Sequence, residues 1–132
     1  MKKIFIYLPL IVVLMMSCKK SDTPAAPVVE PPIAFSLDAG DNSIALSSTF
    51  AVKATLTSAL PSAQGVKIEI TVLDQTSSSS ITQSAAVTST TLINSLQLSS
   101  LPQQHLCNAT VKVSSIATPT NTASKSFTVI YK

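Results

Sequence analysis

Arginine and tryptophan are missing from this sequence altogether, histidine occurs once, and cysteine and glycine occur twice each. Each shortage removes a class of chemistry. One histidine, His105, and two cysteines, Cys18 and Cys107, cannot assemble a histidine cluster or a Cys/His ligand set for zinc within one chain. A serine or cysteine nucleophile would need that one histidine as its base and an acid to orient it, and no motif places the three together. The acids Asp22, Glu30, Asp38, Asp41, Glu69 and Asp74 form no signature pair for glycoside hydrolysis. Lysines are scattered along the chain instead of forming a basic patch, so nothing is suited to gripping a run of phosphates. The expectations are therefore no enzymatic activity, no cofactor, no metal and no nucleic acid.

What the sequence does have begins at its first residues. Lys2 and Lys3 precede the apolar run Ile4 to Met16, broken only by Pro9, and the small residue Ser17 and Cys18 follow. A charged start, an apolar stretch and a small-residue cleavage site are the order of a signal peptide. The run is too short to span a bilayer as a helix, which takes roughly 20 apolar residues. A mitochondrial presequence would be amphipathic and rich in arginine, which this segment is not. Residues 1–17 are expected to be a secretory signal peptide.

The string Leu14-Met15-Met16-Ser17-Cys18 resembles the lipobox of bacterial lipoproteins, with a small residue before the cysteine and with Met15 where the family prefers leucine. The pattern, followed at once by Lys19 and Lys20, is similar to lipoproteins of the Bacteroidota. The resemblance implies cleavage before Cys18, lipid on its sulfur and amine, and membrane attachment through that lipid. One acyl chain anchors marginally, whereas two or three hold a protein on the membrane durably. Lys19 stands where an aspartate marks inner-membrane retention in some bacteria, so the resemblance implies the cell outer membrane, with the facing side left open. Cleavage leaves seven lysines against six acids, a side-chain net charge of +1 in place of the +3 of the precursor. The basic character of the whole chain thus comes partly from the leader.

Residues 18–32 are expected to be a tether beginning at the lipidated Cys18. Pro24, Pro27, Pro31 and Pro32 among Ala, Ser, Thr and Val favour an extended backbone, reaching up to ~3.1 Å per residue. Residues 33–132 then form one modest domain. Its signal is alternation of period two, the mark of strands with one buried face. Ile33, Phe35 and Leu37 alternate with small residues; Ile44 and Leu46 follow the turn at 38–42; Phe50, Val52, Ala54 and Leu56 oppose Lys53 and Thr55. Val66, Ile68, Ile70 and Val72 against Lys67, Glu69 and Thr71 make the clearest strand. Residues 92–98 are a further strand, Cys107, Ala109, Val111 and Val113 another, and Phe127, Val129 and Tyr131 close the chain. The stretch 77–91 predicts one or two short edge strands. About seven strands separated by turn signals predict an all-β, antiparallel β-sandwich.

Residues 96–102, then 105–111 and 126–129, resemble the last three strands of an immunoglobulin-like domain. His105 stands where that family's corner tyrosine would sit, no cysteine lies in the 50–56 strand to pair with Cys107, and no tryptophan lies in the 66–72 strand. The resemblance therefore implies a disulfide-free immunoglobulin-like β-sandwich. With Cys18 carrying lipid, Cys107 has no partner in the chain, and its place on the apolar face of its strand predicts a buried free thiol. His105 beside Pro102 is expected to be a corner residue. Asp38, Asp41 and Asn42 offer oxygens to calcium in principle, but Asp, Gly and Asn are what a turn requires, and a turn without metal is the expectation. Lys53, Lys67, Lys112 and Lys125 on the strands are expected to discourage edge-to-edge pairing. The functional expectation is a lipid-anchored cell-envelope protein that presents its module to an envelope or extracellular protein, as in adhesion. The alternative is a glycan-binding accessory lipoprotein, and its weak point is that sugars are usually gripped by exposed aromatics, whereas Phe35, Phe50, Phe127 and Tyr131 occupy inward-looking positions.

Overall fold

The computed structural model describes residues 29–132. The expected signal peptide, Cys18 and the tether as far as residue 28 lie outside the described residues. Nine strands and no helix make up the rest: β1 (Phe35–Leu37), β2 (Ser43–Ala45), β3 (Phe50–Leu56), β4 (Val66–Asp74), β5 (Ser79–Ile81), β6 (Val87–Ser89), β7 (Ile93–Leu98), β8 (Leu106–Ser115) and β9 (Thr122–Tyr131). The described residues are all-β, as the alternation predicts.

Two sheets share one core. The first has the order β1-β3-β7 and is antiparallel throughout. The second runs β2-β9-β8-β4, and both short strands lie antiparallel on the far edge of β4, with β6 against Val66–Ile68 and β5 against Val72–Asp74. β2 is the exception in direction, because it pairs parallel with the end of β9. The second sheet is therefore mixed. The first three strands show why: β1 turns back on β3, and the turn at Gly40 to Asn42 then carries the chain across to β9 before it returns. Asn42 takes a left-handed φ of 63° there, which asparagine tolerates, and its N–H donates to Thr128 Oγ1.

Alternation turns sequence into core. On β3, Val52, Ala54 and Leu56 are buried while Ala51 and Lys53 are exposed; on β8, Cys107, Ala109, Val111 and Val113 are buried. Phe127 of β9 reaches across to Phe50 of β3, with ring centroids 6.0 Å apart and planes inclined at 43°. That contact joins the two sheets. Full burial of such side chains contributes about 1.5–3 kcal/mol each.

One phase of the alternation differs from expectation. Ile44 and Leu46 were the inward residues by pattern, yet they are 47% and 89% exposed, and Ala45 between them is buried. The parallel register of β2 on β9 sets this, since it places Ala45 beside Tyr131 and turns its neighbours outward. A one-residue shift of register exchanges the two faces of a strand. In the weakly patterned stretch 77–91 both short strands form, and both are edge strands.

Candidate functional site

Two places gather groups capable of recognition. The first is polar. Asp74 ends β4, and its carboxylate turns back over the following residues: Oδ1 accepts the N–H of Thr76 at 2.9 Å and of Ser77 at 3.3 Å, while Oδ2 accepts the hydroxyl of Ser77. Aspartate closes such turns because its side chain accepts from the backbone two residues on. His105, just before β8, places Nδ1 2.7 Å from the same Oδ2. An ionised carboxylate can only accept, so this ring nitrogen donates.

The Ser77 hydroxyl is the main cause that holds the Asp74 carboxyl well below the usual carboxylate range. Burial opposes it, and His105 and the two amides add to the lowering. The order of the three side chains matters chemically. Here the carboxylate stands between hydroxyl and imidazole, whereas activation of a serine requires the imidazole in the middle. The cluster is a clasp that ties the β4–β5 turn to the entry of β8. Among the described residues, no three of His, Cys, Asp and Glu converge as metal ligands. Asp38, weighed above as a cation ligand, instead accepts the N–H of Lys53 at 2.6 Å and extends the β1–β3 pairing.

The clasp sets a pH dependence. Because folding lowers the Asp74 pKa, its contribution to stability is complete above the ordinary carboxylate value of 3.8 and is lost as pH falls through that value toward the folded one. Asp74→Asn should flatten the acid limb of stability against pH, measured by urea unfolding between pH 2 and pH 6, and should cost stability at pH 6. An unchanged acid limb would contradict the assignment.

Cys107 lies opposite Asp74 in the β4–β8 register and is a free, buried thiol. Burial, and secondarily the Asp74 charge, push its pKa up. A thiolate is the reactive form, so Cys107 should resist iodoacetamide in the folded domain and be modified fully in urea, as read by mass spectrometry. Rapid native labelling would contradict this placement.

The second place is a strand edge. Leu56 N–H donates to Leu92 O at 2.8 Å, and in the antiparallel register the residues bonded to β3 are therefore Asn94, Leu96 and Leu98. The N–H and C=O groups of Ile93, Ser95, Gln97 and Ser99 face the other way. At one end of this edge Gln83 acts as a stand-in peptide: Oε1 accepts the Ser99 N–H at 2.9 Å and Nε2 donates to Ser99 O at 3.1 Å. At the other end the Thr91 hydroxyl donates to Ile93 O at 3.0 Å. Between these plugs, the outward backbone groups of Ser95 and Gln97 have no partner among the described residues.

A cleft of about 180 Å³ adjoins that open stretch, with Ile68, Ile70, Ala85, Val87 and Leu96 among its walls. Val87, one of those walls, is 50% exposed, and Ile93 of β7 is a further exposed apolar residue at 60%. The chain has no Asp, Glu, Lys or Arg anywhere between Asp74 and Lys112. The expectation that lysines protect the edges is corrected here. Lys53, Lys67 and Lys112 sit on strand stretches paired on both sides, and only Lys125 borders an unpaired stretch, on β9. A lysine on an alternating strand marks a solvent face, not an outer strand.

In the sequence Asp74 stands only among six acids that form no signature pair, and Ser77 opens the weakly patterned stretch 77–91. The signal available was the order Asp-Gln-Thr-Ser, a turn-closing pattern, although nothing in it points to His105. No family model, no curated protein and no solved structure matches the chain.

Proposed function

We propose that this chain is a Bacteroidota-like outer-membrane lipoprotein, anchored through lipid on Cys18, whose immunoglobulin-like β-sandwich presents a strand edge to a protein partner and carries out no catalysis. The observation that carries the interaction reading is the open β7 edge at Ser95 and Gln97, since unpaired, uncharged edges are what folded proteins ordinarily avoid exposing. The strand pairing supports the finer fold. β1, β3 and β7 correspond to the first, second and fifth strands of an immunoglobulin sandwich, and β4, β8 and β9 to its third, sixth and seventh. The departure is β6, which lies on β4 where that fold would lay its fourth strand beside β7. The glycan reading finds little support: Phe35 and Phe127 are buried, and Phe50 and Tyr131 pack in part against the core.

Protease treatment of an epitope-tagged chain on intact and lysed cells, beside a periplasmic control, tests the placement of the partner. Digestion on intact cells favours adhesion or capture of an external protein. Protection there, with digestion after lysis, sinks the surface reading and points to a partner inside the envelope.

A further inference from the structure

We propose that the β7 edge binds an extended, uncharged segment of another protein as an added strand, with one of its apolar side chains seated in the cleft between β7 and residues 84–87. This rests on the interaction-module reading and names its site and ligand chemistry.

Four observations converge. First, the Ser95 and Gln97 N–H and C=O groups point outward in the plane of the sheet, and the partner that satisfies such a row is another backbone in extended form. Second, both ends of the row are stopped by side chains, Gln83 at Ser99 and Thr91 at Ile93, which leaves a short window of fixed length. A fully solvated edge would need no such stops. Third, alternate side chains of an added strand fall on the core-facing side, where Ile68, Ile70 and Val87 line a cleft of about 180 Å³. An aliphatic side chain suits that volume and lining. Fourth, charge selects against charged ligands. No residue lining the cleft carries a charge, so a Lys or Glu entering it would lose hydration with no opposite charge in its walls.

A second copy of this chain fits the window poorly. If two β7 strands paired antiparallel with Ser95 opposite Gln97, Ser99 of one copy would fall opposite Ile93 of the other, and the Gln83 carboxamide would lie between them. A foreign segment can end before that point.

The test uses the full chain, immobilised, and a display library of eight-residue segments. Half of the library alternates aliphatic with uncharged polar residues, and half carries Lys or Glu at the aliphatic positions. The uncharged half should be enriched at least tenfold. A selected peptide, synthesised, should lose at least tenfold in affinity when its alternate backbone amides are methylated, and likewise against Gln97→Pro or Ser95→Pro. These variants should fold, because proline is tolerated where an edge N–H faces outward, and circular dichroism and melting check this. Leu96→Pro removes a bond to β3 and should unfold the sheet, which verifies the register independently. No enrichment of the uncharged half, or equal binding to the folded proline variants, overturns the proposal. Concentration-dependent dimerisation abolished by Gln97→Pro would overturn it in favour of self-pairing. Binding that maps by amide shifts to Ile44, Ile130 and Leu106 on the outer face of the second sheet would also overturn it, while leaving the interaction-module reading in place.

Discussion

Phe127→Ala should destabilise the domain by about 3–5 kcal/mol, the range for deleting a buried phenylalanine ring. Phe127 is 1% exposed, sits in the middle of β9 opposite Ala109, and holds the Phe50 ring across the sheets. Its neighbours in the second sheet, among them Ala109 and Val111, are short, so they cannot lean into the void. A domain of this size has a total stability of about 5–15 kcal/mol, and the loss is therefore a large fraction of it. Phe127→Leu should cost distinctly less, because it keeps most of the volume. Urea unfolding of both variants checks the prediction. A loss under about 1 kcal/mol for Phe127→Ala would mean that the ring does not bridge the sheets.

Gly65→Ala should cost about 2–6 kcal/mol, a loss out of proportion to one methyl group. Two causes add. Gly65 holds φ at 83°, where a side chain costs about 1–3 kcal/mol, and a Cβ there would stand 2.1 Å from the carbonyl oxygen of Ser89 and 2.9 Å from its carbon. The obstacle is backbone at the end of β6, so relief means pulling β6 off β4, where Ser89 pairs with Val66. Forcing extra atoms into packed structure costs about 1–3 kcal/mol more. Gly40 supplies the contrast, since a Cβ there meets nothing within 4 Å. Gly40→Ala should change stability by no more than about 0.5 kcal/mol in either direction. Equal melting points for the two variants would contradict the close approach of β6 to Gly65.

Both residues show what pattern alone could and could not carry. Phe127 was legible, because alternation with Ser126 and Thr128 put it on a buried face. The close contact at Gly65 was not, since it depends on β6, a three-residue strand in a serine- and threonine-rich stretch with almost no periodicity. The same division runs through the sheets. β3, β4, β8 and β9 could be read from their own side chains, whereas Ile44 and Leu46 misled because the register of so short a strand is set by its neighbour β9. Strand order is a tertiary property, so the sequence could not say that β7 is an edge or that the lysine-bearing strands are mostly interior.

The clasp was hidden for a related reason. His105 meets Asp74 across a separation of 31 residues, and the contact exists only because β8 returns beside β4. The one histidine of the chain serves the β4–β5 turn. The polar groups of the clasp satisfy one another, whereas the outward backbone groups of Ser95 and Gln97 on β7 have no partner among the described residues.

Attachment of this β-domain to a membrane through lipid on Cys18 is the proposal on which the rest depends, and intact mass spectrometry of the protein purified from the membrane fraction reads it out. The expected result is a chain beginning at Cys18, with the added mass of two or three acyl chains on its first residue, and a Cys18→Ala variant lacking that mass and absent from the membrane. A chain cleaved elsewhere, or one carrying Cys18 as a free thiol, would contradict it.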